Sequence, residues 1–425
     1  MFEKFIRLFR IKDLRKKILF VLFVLAISRL VASVPIPGID PEKLQQFFSG
    51  NQFFGMLSVF TGGSMGRMSI GMLGLGPFIT ATIIMQLLTM IFPRLKEMHQ
   101  EAGEKGREKF NQYARIAAVP LAMLQGFAFL NVLGRQGVID NLSSVNMFAN
   151  VVIIAAGAVF LMWLGEMITQ KGIGNGISLL IFAGIVGGIP SQIGQLVYTW
   201  DPTKVFSYVL FLATSLVVIS AVIFITEGQK NIPISYAKRI RGNKMYGGSS
   251  TFLPLRINQA GVIPIIFAIS IMLFPGMIAT FLSGASNPKV VAFAGQLNAI
   301  FQNQIFYIVA YFCLVVAFTY FYTAVSFDPK NVAENLQKSG GFIPGIRPGL
   351  NTSNYISYII NRITLIGAVF LGLIAILPMI IQGITGVMSF QFLIGGTALL
   401  IVVSVVLETI KQINAQLVMR DYESF

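Results

Sequence analysis

Long apolar stretches separated by polar or basic segments constrain the fold of this chain more than any other feature of its sequence. A bilayer core about 30 Å thick requires about 20 residues of apolar helix. Charged residues make up only 12% of the chain, against about 25% in an ordinary soluble domain. The sequence therefore predicts an all-α polytopic membrane protein with ten transmembrane helices. The ten stretches cover residues 18–35, 74–92, 116–133, 148–168, 177–198, 205–226, 258–281, 304–326, 356–381 and 390–407.

The connecting segments are unequal in length and composition. The two longest polar connections are 227–257 and 327–355, and loops of this length usually carry function. Segment 36–73 is also long, but it is mostly uncharged and rich in glycine. No strand-like alternation of apolar and polar residues recurs along the chain, so a β-barrel is not expected.

A basic cluster precedes the first apolar stretch, as it does both in signal peptides and in retained first helices. No small-residue cleavage site follows, so we interpret residues 18–35 as a retained helix. The one cysteine, Cys313, has no partner within the chain, which excludes internal disulfides and thiolate metal clusters.

The distribution of lysine and arginine predicts the orientation, because basic loops remain on the cytoplasmic side of a membrane. With the ends and the even-to-odd connections on one side, that side receives 26 basic residues and the other receives 5. Arg29 remains inside the first helix, near its outer end, from which it can snorkel. Both termini are therefore expected in the cytoplasm. The net charge of +15 then lies largely on one face, where it can meet anionic lipid, an acidic protein or ribosomal RNA.

Ten helices divide into two halves of five, and an odd number forces the second half to start on the opposite side of the membrane. If the halves are related, the repeat is inverted. The expected organisation is a basic N-terminal segment 1–17, an N-terminal half 18–200, a C-terminal half 201–411 and a short cytoplasmic tail 412–425.

Groups that could perform catalysis are sparse. The single histidine, His99, lies in a cytoplasmic loop, and neither a serine-protease triad nor a zinc site can be assembled. No phosphate-binding GxxxxGK[ST] motif is present. The glycine-rich residues 171–176 resemble a dinucleotide-binding turn, but they lie between two membrane helices and are better explained as a tight loop that caps both. We expect no enzymatic activity, no metal and no cofactor.

A secondary transporter of small solutes is the main alternative function. Such a protein needs ionisable residues near the membrane midplane to couple ions or hold substrate. Here Glu166, Arg362 and Glu408 lie close to cytoplasmic helix ends. The shortage of central charges favours a conduit over a coupled carrier.

Two further features are unusual for a bundle that only packs. Residues 61–73 are apolar but glycine-broken and too short to span, which is typical of a re-entrant segment or of an ordinary outer loop. Arg347 lies between two Pro-Gly pairs, whose turns fix its backbone and present its side chain. Basic residues in cytoplasmic loops usually serve topology alone, but Arg347 is more specific.

The order of several long motifs resembles that of the SecY family, the protein-conducting channel of bacterial membranes. The motifs are Pro35-Ile-Pro-Gly-Ile-Asp40, residues 74–86 (GLGPFITATIIMQ), residues 171–178 (KGIGNGIS), Tyr236-Ala-Lys-Arg239, residues 253–264 (LPLRINQAGVIP) and residues 341–349 (GFIPGIRPG). The resemblance implies two inverted five-helix halves that open like a clamshell around an hourglass pore. Segment 61–73 then corresponds to the plug, a half-helix that seals the outer funnel, with Gly62, Gly63, Ser64, Arg67 and Ser69 as its marked residues.

By the same resemblance, a ring of aliphatic side chains closes the pore at its waist: Ile79, Ile83, Ile181, Ile185, Ile266 and Ile401. Positions four apart share a helix face, so each of the first two pairs can point inward together. Isoleucine is stiff and apolar, so a narrow ring resists wetting and ions. Without the resemblance, these isoleucines would be interpreted as lipid-facing or packing residues.

The resemblance also implies a lateral gate, through which signal peptides and nascent membrane helices pass. Its candidate polar residues are Thr80, Thr82, Gln86, Asn258 and Gln259, although polar helix ends buried against loops would also explain them. Interhelical hydrogen bonds in membranes average under about 1 kcal/mol, so such a gate opens at small cost.

The implied partners are the small membrane subunits SecE and SecG, the SecA motor ATPase, the ribosome, signal peptides with unfolded polypeptide substrates, and anionic lipids. Motor or ribosome docking is assigned to Arg239, Arg241 and Arg347. The implied location is the bacterial cytoplasmic (inner) membrane, with both termini cytoplasmic. The sequence stops at Phe425, where family members commonly continue into a basic tail, so contacts of such a tail are in doubt.

Overall fold

The computed structural model describes most of the chain as long helices. The described residues are 11–37, 44, 66, 68–100, 103–135, 137–138, 143–198, 202–236, 239–241, 244–246, 250–282, 287–385 and 396–423. Their helices are α1 (Lys12–Ser33), α2 (Gly76–Ile91), α3 (Pro93–Gln100), α4 (Gly103–Arg135), α5 (Ser144–Lys171), α6 (Gly176–Tyr198), α7 (Val205–Glu227), α8 (Ile263–Leu282), α9 (Pro288–Gln302), α10 (Gln304–Ser326), α11 (Pro329–Lys338), α12 (Leu350–Thr385) and α13 (Gly396–Glu423). Each of the apolar stretches in the sequence overlaps one of these helices.

Among the described residues, six helices are long and apolar enough to cross a membrane, and a seventh span results if a bent pair counts as one. That pair is α2 and α3, between which the helix axis bends by 118°. The bend follows from Pro93, because a residue before proline is driven out of the helical region. Phe92 accordingly has an extended backbone, with φ −108° and ψ 107°. The prediction of a polytopic helical membrane protein is thus confirmed at the level of six to seven spans.

Strands are present in the long polar connections, so the all-α prediction is incomplete. They are β1 (Gln229–Tyr236), β2 (Arg239–Arg241), β3 (Lys244–Tyr246), β4 (Ser250–Arg256) and β5 (Gly341–Phe342). One antiparallel sheet has the order β4-β1-β5, and β2 pairs with β3 in a separate hairpin. In the first sheet Ile232 is opposite Leu253, and Gln229 is opposite Arg256. Burial alternates in part of β1, where Ile232 and Ile234 are buried and Asn231 and Pro233 are exposed.

The chain divides into two compact units. The first comprises residues 1–202, 274–299 and 388–425, and the second comprises residues 203–273 and 300–387. In the first unit α4 packs against α2 and α5, while α13 packs against α6. Its largest apolar cluster joins segment 68–73 to α4 and α5, with Met72 and Ile154 fully buried.

The second unit is built around α12, which packs along α10. At the end of α12 that carries the polar loops, the small sheet, α11 and the first turns of α12 share an apolar cluster. Its buried members are Ile232, Leu255, Ile343, Ile356 and Ile360. Asp328 caps α11 by accepting hydrogen bonds from the backbone of Lys330 and Asn331. Long-loop residues are therefore folded onto the helix rather than loosely attached to it.

The glycine-rich loop between α5 and α6 caps both helices. The Asn175 side chain accepts a hydrogen bond from the backbone N–H of Ile177 at 3.2 Å, as an N-cap does. The Gly176 N–H donates to Thr169 Oγ1 at 2.9 Å. A Cβ added at Gly176 would overlap the carbonyl oxygen of Gly165. The loop thus has a packing role that requires glycine.

Replacing Gly176 with alanine should lower the stability of the protein by about 1–3 kcal/mol, the usual cost of overpacking. The expected result is a lower midpoint of thermal unfolding in detergent micelles. Gly194→Ala on the same helix is the matched control, because a Cβ at that position meets nothing within 4 Å. Equal midpoints for the two variants would contradict the packing role of Gly176.

Candidate functional site

Five of the six predicted ring isoleucines lie in the first unit. Ile83, Ile185 and Ile401 are buried, with 7%, 6% and 2% of their surface exposed, and Ile79 and Ile181 are half-buried. Within each pair on a helix, the residue four positions farther along is therefore the more buried one. Ile266 lies on α8 in the second unit and is half-buried. The common role of the six residues stays a prediction.

The first turn of α2 shows why the sequence begins a helix just before Ile79. Pro77 occupies one of the first two helical positions, where its fixed φ suits a helix and its missing N–H costs nothing. The Ile79 N–H donates to the carbonyl oxygen of Leu75 at 3.0 Å. Ile79 and Ile83 therefore project from a well-defined start of helix.

The threonines assigned to the gate bond within their own helix. Thr80 Oγ1 donates to the carbonyl oxygen of Gly76, and Thr82 Oγ1 donates to that of Phe78, both at 2.9 Å. Their donors are thus used locally, which leaves the hydroxyl oxygens as acceptors. Gln86 is half-buried. The gate role of these residues stays a prediction.

In the second unit, Asn258 lies in the turn before α8 and is 8% exposed. Its Nδ2 donates to the carbonyl oxygen of Gly261 at 3.2 Å. Its Oδ1 is buried and has no hydrogen-bond partner among the described residues. The neighbouring Gln259 is half-buried. Leaving a buried acceptor unpaired costs free energy, so Asn258 Oδ1 is suited to accept a hydrogen bond from a donor.

Six of the thirteen residues of the predicted plug segment lie outside the described residues, including Gly62, Gly63, Ser64 and Arg67. Its described end, residues 68–73, forms turns rather than a helix. Ser69 is fully buried and bridges Pro35, while the Ile70 N–H donates to the carbonyl oxygen of Val34 at 2.9 Å. Met68 has a φ of +45°. The C-terminal end of the segment is thus fixed to the end of α1.

The loop around Arg347 is tightly built. The Ile346 N–H donates to the carbonyl oxygen of Ile343 at 3.0 Å across Pro344 and Gly345. Gly345 has a φ of +83°, which makes this a type II turn with proline and glycine at their preferred positions. Ile343, at the start of the turn, is buried in the apolar cluster of the second unit. The turn therefore holds the following residue in place.

Arg347 itself is exposed at the surface, while its backbone is held by its neighbours. The Thr352 Oγ1 donates to the carbonyl oxygen of Arg347 at 2.9 Å, and Thr352 is 2% exposed. The structure thus combines a fixed backbone with a solvent-facing guanidinium, as the two Pro-Gly pairs predict. Arg239 and Arg241 occupy the β2–β3 hairpin, where they pair with Tyr246 and Lys244.

Sequence reasoning missed two features of the site. It assigned Arg29 to snorkelling, whereas Arg29 donates hydrogen bonds to backbone carbonyls of α6. It also missed the sheet that supports the Arg347 loop. The available signal is the alternation of Ile232 and Ile234 with Asn231, Pro233 and Ser235. Nothing in a sequence marks a carbonyl as the acceptor of a distant arginine.

Among the described residues, no group of three or more histidine, cysteine, aspartate or glutamate side chains could hold a metal ion. Glu166, near the end of α5, forms an ion pair with Arg115 of α4. Arg362 stacks over the ring of Tyr358 at 4.4 Å. These two charged residues have packing partners.

Comparison with known proteins gives matches along the whole chain. The SecY family model matches residues 69–410. A protein translocase subunit SecY from Streptomyces galbus is 42% identical, and one from Mycobacterium leprae is 40% identical, each over 100% of both chains. Among solved structures, a chain from "The structure of a protein conducting channel" has a TM-score of 0.62 at 19% identity, covering 93% of this chain and 91% of that one. A chain from "Sec61 in the Canine ribosome-channel complex from the endoplasmic reticulum" has a TM-score of 0.58 at 18% identity, with the same coverage.

Proposed function

We propose that the chain passes unfolded secretory polypeptides across the membrane and releases membrane helices through a lateral gate. The reason is that the chain belongs to the SecY family and is a channel subunit of a protein translocase. The observation that carries this proposal is an identity of 42% to a SecY subunit over the full length of both chains. The relatives favour this function over a secondary transporter. We assign the chain no catalytic reaction of its own.

The proposed architecture is ten transmembrane helices in two inverted halves, 18–200 and 201–411. Its support is that every predicted apolar stretch overlaps a helix. The shorter apolar helices Gly176–Pro190 and Ile263–Met272, which belong to α6 and α8, would then count as two of the ten spans. In this arrangement the membrane is the bacterial cytoplasmic one and both termini are cytoplasmic, as the basic residues predict.

The proposed pore ring consists of the six isoleucines on α2, α6, α8 and α13. A channel that passes polypeptides needs a closure that adheres to no particular side chain and yet excludes ions. Stiff aliphatic groups meet both needs, because a narrow apolar constriction dewets. The burial of Ile83, Ile185 and Ile401 is compatible with this role.

The proposed lateral gate uses polar groups that form weak hydrogen bonds. The hydroxyl oxygens of Thr80 and Thr82 retain accepting capacity, and Asn258 Oδ1 is buried without a partner among the described residues. Gln86 and Gln259 add amide groups. Bonds of under about 1 kcal/mol permit such a gate to open for a signal peptide.

The proposed docking surface for the SecA motor or the ribosome includes the β2–β3 hairpin and the Arg347 loop. A fixed, exposed guanidinium suits phosphate or carboxylate recognition, and basic hairpin residues add attraction to acidic partners. SecE and SecG are the proposed membrane subunits of the complex. Anionic lipids are the proposed partners of the basic cytoplasmic face.

The test of the function is reconstitution into lipid vesicles together with SecE, SecG and SecA. We expect ATP-dependent import of an unfolded secretory precursor, scored by its protection from added protease. Precursor lacking its signal peptide is the control and should stay accessible. Uptake of small solutes without any polypeptide import would contradict the proposal and support the secondary transporter.

Deleting residues 61–73 should increase resting ion leak several-fold while leaving precursor import measurable, because a plug seals the channel and does not grip the substrate. Resting conductance in planar bilayers is the first measurement, and precursor import is the second. Since the C-terminal end of the segment bridges Pro35, deletion of 61–66 alone is the matched variant that preserves the bridge. Loss of folded protein in both variants would mark the segment as structural.

A further inference from the structure

Arg29 lies in the last turns of α1, within the first predicted transmembrane stretch and away from the basic loops. It is half-buried. One of its guanidinium nitrogens, Nη2, donates to the carbonyl oxygen of Gly184 at 2.5 Å and also to that of Ala183. Both carbonyls belong to α6. An arginine within a membrane needs such partners, because backbone carbonyls are among the few groups that can satisfy it there.

The sequence of α6 makes room for this contact. Backbone carbonyls in a helix are normally covered by side chains one turn away, but here Gly184, Gly187 and Gly188 leave the surface bare. A Cβ built at Gly187 would overlap the guanidinium. The guanidinium can approach the backbone of α6 because these glycines have no side chains.

The contact is next to two proposed ring residues. Ile185 follows Gly184 directly, and Ile181 lies one turn before it. Ile181, Arg29 and Gly184 also line one small cavity, of about 50 Å³, together with Gly71 of the proposed plug segment and Gly74, which directly follows that segment. Arg29 therefore touches the backbone of the ring helix close to where the plug segment joins α2.

We infer that Arg29 is a positioning residue, which holds α6 so that Ile181 and Ile185 keep the resting pore closed. This inference rests on the proposed ring. Two hydrogen bonds to consecutive carbonyls fix both the height and the rotation of α6 relative to α1. Without these hydrogen bonds, the rotation of α6 would be defined by apolar contacts alone, and the surface of α6 that faces α1 consists of glycines.

The test uses a chain in which Cys313→Ser removes the only cysteine and Ile181→Cys supplies a reporter. Arg29→Met should change the rate at which a water-soluble maleimide labels position 181 by several-fold, and it should raise resting conductance in the chain that retains Ile181. Arg29→Lys should give an intermediate result, because an ammonium can still donate to one carbonyl. Arg15→Met, at an exposed position of the same helix, is the control and should change neither value.

A second variant keeps the arginine and removes its docking site. Gly187→Ala places a methyl group where the guanidinium lies and should reproduce the effect of Arg29→Met, whereas Gly194→Ala should not. Labelling and conductance equal to those of the Arg15→Met control in both Arg29→Met and Gly187→Ala would overturn the inference. If labelling changes but Ile185→Ser causes no leak, the positioning role stands and the ring assignment fails.

Discussion

Replacing Ile83 or Ile185 with serine should raise the ion conductance of the resting channel several-fold. Both residues are buried, and a hydroxyl at an apolar constriction lowers the barrier to wetting. The measurement is single-channel and bulk conductance in planar bilayers without precursor. Precursor import should persist, since the proposed ring would part for every substrate without having to bind any of them.

The structure supplies a matched control for each variant. Ile84 is the neighbour of Ile83 and is 39% exposed, and Val186 is the neighbour of Ile185 and is 36% exposed. Serine at either neighbour should leave resting conductance near its original value, because these side chains lie on a different face of their helices. Equal conductance for ring and control variants would remove Ile83 and Ile185 from the proposed ring.

Arg347→Glu should reduce precursor import to a small fraction of the original, with at least about tenfold weaker docking of the motor or ribosome, which corresponds to about 1.4 kcal/mol. The reason is that a fixed, exposed guanidinium is replaced by a carboxylate, which would be repelled by the phosphate or carboxylate groups of the proposed partner. Arg347→Lys should be impaired if the contact is bidentate, because lysine keeps the charge but loses the planar fork. Docking is measured by crosslinking, beside import into vesicles.

Lys330→Glu is the control for this charge reversal. Lys330 is exposed in the same connection, and a carboxylate at the start of α11 is favoured by the helix dipole, so the variant should fold and import normally. Normal import by Arg347→Glu would reject the docking role. Normal docking with failed import would move the role of Arg347 to a step after attachment.

The sequence predicts the helices well in their apolar parts and poorly at their ends. Hydropathy begins the ninth stretch at 356 and ends the tenth at 407, whereas α12 begins at Leu350 and α13 continues to Glu423. Helical hydrogen bonding does not stop where lipid stops. The extensions are held by packing: Ile413 and Leu417 of α13 rest against Leu14 and Ile173, a contact between segments far apart in sequence.

The site could be predicted only in part, for physical reasons. The exposed arginine between two Pro-Gly pairs is readable because turn chemistry is local. The isoleucines of the proposed ring are not distinguishable by residue type from those that face lipid, so their assignment depends on family resemblance. The contact of Arg29 with α6 depends on bare carbonyls, which every residue has, so that only the three-dimensional arrangement reveals it.

The continuity of α12 has a mechanical consequence for the Arg347 loop. Its 36 residues span about 54 Å at 1.5 Å per residue, more than the thickness of the apolar bilayer core. The helix starts three residues after Arg347, and its first turns belong to the same apolar cluster as Ile343. The loop is therefore attached through this cluster to one end of α12, whose helix runs without a proline as far as Pro378. We therefore expect a partner that displaces the loop to tilt the membrane part of α12 together with the loop.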